Sequence, residues 1–185
     1  FYGFDMDYPS RAVRRSVEYL RKVDPAQAPV MEAGMAVFAN PYLVQEFLVL
    51  PLEKKKELLA LANTIADQLD LRRDDYIKRS SIPDWTLARQ DVALIVQMLK
   101  SQASRPALPI RDSVMAENIR WILDREGPDA RMVVSAHNGH VANVFLSVGG
   151  MGWHLRKMFR NDLVTFGFAF NQGSFQAVDI PPSAQ

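Results

Sequence analysis

Apolar positions along this chain recur with two periods, and the places where each period holds predict its elements. Val13, Val17 and Leu20 follow at spacings of four and three, with Ala12 and Val23 beside them and Arg14, Arg15, Arg21 and Lys22 off the stripe. That is one face of a helix, opened by Pro9-Ser10 and ended by Asp24-Pro25. Leu58, Leu59, Ala62, Ile65, Ala66 and Leu69 form a second stripe. Trp85, Ala88, Val92, Ile95, Val96 and Leu99 form a third, with Asp84 after Pro83 as its expected N-cap. The last two helices are expected to be antiparallel. Met31 to Leu50 is ambiguous, since Pro41 falls inside a helical pattern and divides it. No internal repeat is present.

Both ends of the chain change rhythm. Phe1 to Met6 is short, aromatic and apolar, and reads as a buried strand that delivers Asp5 and Asp7 to the loop after it. From Ile110, Asp112 is placed to cap a helix carrying Met115, Ile119, Ile122 and Leu123, which Gly127-Pro128 stops. Arg131 to Ala136 is β-branched and reads as a strand, His137-Asn-Gly-His140 as a turn-prone loop, Trp153 to Phe159 as a helix and Leu163 to Phe170 as another strand. Strand, helix, strand with short connections predicts a right-handed βαβ unit and a parallel sheet. The expected fold class is therefore α/β, a parallel-sheet three-layer core with an inserted all-helical layer. Residues 1–24 would form its first strand and helix, 25–105 the helical layer, and 106–185 the rest of the core.

Composition narrows the function. A chain of 185 residues, 48% hydrophobic and 23% charged, is long enough to bury a core. Its net charge of +1 gives no broad positive field, so nucleic-acid binding is not expected. Without cysteine there is no disulfide framework, thiolate site or cysteine nucleophile, which leans towards a reducing, cytoplasmic setting. The most apolar stretch, Met35 to Leu52, is interrupted by Asn40, Pro41, Gln45 and Glu46, so no membrane span is expected. A first residue Phe1 with no basic or apolar leader reads as the start of a fragment. Oligomeric state is not legible.

Chemistry is expected where the strands end, because ligands of open parallel sheets sit beyond the carboxyl ends of the strands. Those ends carry Asp5 and Asp7, then His137, Asn138 and His140, then Asn171, Gln172 and Ser174. Two of the three histidines would then face carboxylates across one crevice, which suits acid–base work near neutral pH. The plainer reading is that these are turn formers and caps, since Asn138-Gly139 is itself a turn signal. His154, between Trp153 and Leu155, reads as a structural histidine. Arg111 suits either an anion or carbonyl clamp or a salt bridge, and Glu117 and Asn118 suit local hydrogen bonding. His137-x-x-His140 with a carboxylate would also suit zinc, iron or haem, though weakly on a loop. A non-catalytic module whose helical layer binds a partner is a further possibility. No nucleophile elbow, Walker loop or dinucleotide fingerprint is present.

With these residues placed, the sequence resembles the erythromycin esterase family. Phe1-Tyr-Gly-Phe-Asp5 is similar to the family's glycine-aspartate strand. Arg111-Asp112-Ser-Val-Met115-Ala-Glu-Asn118 is similar to its Arg-Asp-x-x-Met-Ala-x-Asn helix, and Ala136-His137-Asn138-Gly-His140 to its Ala-His-Asn-x-His loop. Gly152-x-x-Leu155, Phe166-Gly167-Phe168 and Gly173-Ser-Phe175 continue in the family's order, so that about half the chain matches. The resemblance implies cofactor-free, metal-independent hydrolysis of a small-molecule ester or lactone, a histidine base activating water with no acyl-enzyme. In the family that base lies in a Gly-Glu-x-x-His-Gly motif, which this sequence does not contain. The implied roles are His137 and His140 as groups that orient or polarise the substrate, Arg111 as an oxyanion stabiliser and Asp5 as the holder of a histidine. Asn138 and Asn118 are implied as substrate contacts.

Overall fold

A computed structural model describes residues 2–38, 47, 49–103, 108–143, 149–169, 171, 172 and 174. Its helices in chain order are α1 (Ser10–Val23), α2 (Gln27–Gly34), α3 (Leu52–Leu71), α4 (Arg73–Arg79), α5 (Ile82–Ala103), α6 (Leu108–Glu126), α7 (Asn138–Val141) and α8 (Met151–Phe159). Single 3-10 turns follow α2 at Ala36–Phe38 and α8 at Arg160–Asp162. The expected break at Pro41 lies outside the described residues, as do Phe1 and the predicted strand end at Phe170.

Helices α1, α3 and α5 form where their stripes predict them and bury those stripes against one another. Val13, Val17, Leu20, Leu58, Ile65, Leu69, Val92, Ile95 and Leu99 share one core with Phe38, Phe47 and Tyr76. The antiparallel pairing of α3 and α5 shows in their polar ties: the Trp85 indole N–H, in the first turn of α5, donates to the Leu69 carbonyl near the end of α3 at 2.9 Å. Arg89 forks onto Asp70 at 2.7 and 2.8 Å. The N-cap of α5 is Ser81 and not Asp84, because the helix starts at Ile82 and the Ser81 hydroxyl accepts the Asp84 N–H at 3.1 Å. Asp24, just past α1, is buried and receives the Tyr76 hydroxyl at 2.6 Å together with the Arg72 guanidinium. Burial and the Asp24 charge push the Tyr76 phenol well above its usual range.

The predicted parallel sheet is absent: among the described residues there is no strand, and the fold is all-helical rather than α/β. Two of the three segments read as strands, the first and the second, carry a two-residue alternation, whereas in the third only Leu163 is half-buried and residues 164–169 are exposed throughout. Met132, Val134 and Ala136 are half-buried while Arg131, Val133 and Ser135 are exposed. Phe4, from the first segment, and Leu163, from the third, likewise pack with Met115, Ala116, Ile119, Met151 and Leu155 in a second core under α6 and α8. What the segments lack is each other. A strand exists only by pairing its main chain with a neighbour, and these segments are held singly to helices by their side chains. Period-two burial reports one covered face and not a ladder.

Candidate active site

Helix α6 supplies the platform. Asp112, Met115, Ala116 and Ile119 fall on one face at helical spacing and are all buried. A carboxylate inside an apolar stripe requires a partner, and Asp112, its side chain 1% exposed, finds it in His140: Oδ1 lies 2.6 Å from the imidazole Nδ1. Gly127, at φ +105°, ends α6 in a conformation open to glycine, its N–H on the Leu123 carbonyl at 3.1 Å.

The histidine loop is shaped by its own hydrogen bonds. His137 is exposed and extended and caps α7, its Nδ1 accepting the Gly139 N–H at 3.1 Å. The main chain then turns back, His140 N–H to His137 carbonyl at 2.9 Å, which carries His140 over Asp112. Helix α8 closes on this loop through glycines. A Cβ on Gly150 would lie 2.8 Å from the Ala142 carbonyl oxygen, and one on Gly152 would run into the Val141 carbonyl.

Arg111, next to Asp112, holds the first segment. Its Nε donates to Asp5 Oδ1 at 3.2 Å and its Nη2 to Asp5 Oδ2, and Nη2 also forms an ion pair with Asp7 Oδ2 at 2.9 Å. The hydrogen bond to Asp5 and the neighbouring carboxylates keep the guanidinium charged against the cost of burial. Burial, then the Asp5 charge, push the Asp7 carboxyl above its usual range, and Arg111 and His140 pull the other way. His140, Arg111, Asp5, Asp7 and Asp112 thus form one electrostatic neighbourhood. A cleft of about 340 Å³, lined by Asp5, Tyr8, Arg11, Arg15, Asp91 and Asn118 among others, opens beside it. A larger groove of about 640 Å³, along Tyr2, Phe4, Ile122 and residues 126–135, contains none of the five.

The structure brings together three of the four expected catalytic residues, His140, Arg111 and Asp5, with His137 three positions before His140. It pairs them differently: Asp5 holds Arg111, and the carboxylate on a histidine is Asp112. Asn138 is exposed and bonded to the main chain of Phe168 in both directions. Asn118 is buried. Its Oδ1 accepts from Gln90 and Gln97 and its Nδ2 donates to Gln97 and the Phe4 carbonyl, so all four of its hydrogen-bonding places are filled. His154 is half-buried, its ring edge-on to Trp153. Asn171, Gln172 and Ser174 are exposed. Among the described residues no three His, Asp or Glu side chains converge on a possible metal position, and no helix is long and apolar enough to cross a membrane.

Sequence reasoning missed Asp112 as a site residue by reading it as a cap. The helix starts four residues earlier at Leu108-Pro109, where proline is tolerated because first-turn N–H groups have no helical partner. The usable signal was a carboxylate in step with Met115, Ala116 and Ile119.

A histidine–carboxylate pair beside an arginine clamped by two carboxylates, all at one end of a helix, is a set of groups chemically able to do acid–base work. The family model for erythromycin esterase matches residues 1–185, and the chain belongs to the erythromycin esterase family. Among solved structures it resembles a mutant of the erythromycin esterase EreC in its open conformation, at 16% identity and TM-score 0.71, over 86% of this chain and 45% of that one. It also resembles a Bacillus cereus protein, at 22% identity and TM-score 0.70, over 85% of this chain and 40% of that one. The chain thus spans less than half the length of either. No curated protein matches it.

Proposed function

We propose that this chain is part of a carboxylic ester hydrolase of the erythromycin esterase type, acting by direct attack of water on a small-molecule ester or macrolide lactone. The observation that carries the reading is the cluster at the start of α6, where His140 rests on Asp112 and Arg111 is fixed beside it. Family membership supports the reaction class.

In this reading water adds to the ester carbonyl, giving up a proton to a histidine base of the family's Gly-Glu-x-x-His-Gly motif, which lies outside this sequence. The carbonyl oxygen becomes an oxyanion; His137 and His140 orient or polarise it, and Arg111 lends positive charge. Its Nε and Nη2 are engaged by Asp5 and Asp7, which fixes the plane of the guanidinium. Collapse breaks the bond to the alcohol, whose oxygen takes the proton back, and no acyl-enzyme or cofactor is needed. The absence of cysteine fits a protein working in a reducing cytoplasm.

Hydrolysis of a macrolide lactone and of simple esters by the full-length protein and its His137→Ala variant tests the reading. A fall in kcat of about 10²–10³-fold in the variant is expected; equal rates remove His137 from the mechanism, and an inactive full-length protein removes the function.

A further inference from the structure

His137 and His140 stand three residues apart on one short turn of helix, yet each uses the same ring atom for opposite purposes. The Gly139 N–H donates to Nδ1 of His137 at 3.1 Å. A backbone amide only donates, so this Nδ1 holds a lone pair, and in the neutral ring the proton sits on Nε2. At His140 the Nδ1 faces Oδ1 of the buried Asp112 at 2.6 Å. An ionised carboxylate only accepts, so here the proton sits on Nδ1 and Nε2 holds the lone pair.

We propose that the two histidines are locked in opposite tautomers, His137 presenting an Nε2–H donor and His140 an Nε2 acceptor, with Asp112 as the positioning residue that sets the second. The chemical use of the pair rests on the ester-hydrolase reading. The His137 donor suits the carbonyl oxygen, whose charge grows as water adds, and the His140 acceptor suits a hydroxyl proton of the water or the departing alcohol. Asp112 does its part from beneath the His140 ring, fixing which nitrogen is offered.

Tautomers are read directly from long-range ¹H–¹⁵N correlations of the imidazoles in the ¹⁵N-histidine-labelled full-length protein, at about pH 8.5 where ordinary histidines are neutral. The expected spectrum shows His137 protonated at Nε2 and His140 at Nδ1. In Asp112→Asn the carboxamide N–H can donate to Nδ1 of His140, so its pattern moves to the Nε2-protonated form or a mixture while that of His137 stays. The kcat of the variant should fall about 10- to 10³-fold with KM little changed, and Asp112→Glu should recover part of it. The same tautomer at both rings of the wild type, or an unaltered His140 pattern in Asp112→Asn, overturns the proposal. The wild-type spectrum decides the tautomers even if Asp112→Asn does not fold. Opposite tautomers in a protein that hydrolyses no ester would sink the ester-hydrolase reading alone.

Discussion

Asn138 answers both main-chain groups of Phe168 with a single side chain: its Nδ2 donates to the Phe168 carbonyl, and its Oδ1 accepts the Phe168 N–H at 3.2 Å. A strand neighbour would make the same two bonds, so the carboxamide stands in for a length of backbone. Asn138→Ala should cost about 1–2 kcal/mol for two solvent-accessible bonds. Asn138→Asp should cost more, since it sets an acceptor against the Phe168 carbonyl. Urea unfolding of the three proteins gives the order, and an aspartate variant at least as stable as the alanine one would show that the pair is not held in solution.

Asn118 is the polar rivet between α6, α5 and the first segment. Asn118→Ala strands the amide of the half-buried Gln97 and the carbonyl of the half-buried Phe4, at about 2–4 kcal/mol. In a chain of this size that is a fall in Tm on the order of 10 °C. Calorimetry showing a loss under about 2 °C would mean that water substitutes for the side chain.

Gly152 is where α8 meets the histidine loop. Gly152→Ala drives a methyl into the Val141 carbonyl and to 2.8 Å from that of Ala142. Backbone oxygens yield little, so the variant should lose about 1–3 kcal/mol and displace His140, cutting activity as well as Tm. Gly167→Ala, where a Cβ meets nothing within 4 Å, is the control; the two behaving alike would place the contact elsewhere.

Asp91 gives stability an unusual pH dependence. It is 2% exposed, and burial outweighs its tie to Arg15, holding the carboxyl above the ordinary 3.8. An acid whose value is raised by folding contributes most below 3.8 and loses that contribution as pH climbs through the folded value. Asp91→Asn should therefore gain stability relative to the parent between about pH 4 and 7. A urea-midpoint gap moving against the variant over that range would show that the Arg15 attraction dominates.

The helical half of the fold was legible because its packing is periodic at 3.6 residues over long runs: the stripes from Leu58 to Leu69 and from Trp85 to Leu99 became α3 and α5. Gly127-Pro128 stopped α6 where punctuation predicts. The sheet was misread because Met132, Val134 and Ala136 alternate as they would on a strand, and alternation carries no information about a pairing partner. Caps were misplaced for a related reason. Asp84 and Asp112 both sit ahead of apolar stripes, but Ser81 and Leu108-Pro109 start those helices earlier, and the aspartates are free for Lys22 and His140. At the site, the residue types were readable and the partnerships were not: pairing Asp5 with Arg111 spans 106 positions, and spacing along the chain says nothing of such a contact.

The exposed apolar side chains of the second and third segments have a practical consequence. Val133 is 98% exposed, and Val164, Phe166 and Phe168 are each more than 70% exposed, too much greasy surface in a row for water to tolerate quietly. These 185 residues expressed by themselves should self-associate as concentration rises, through those four side chains. Dilute samples, or Val133→Thr with Val164→Thr, should keep such a preparation clear, and light scattering that does not change with concentration in the parent would show that the patch is covered.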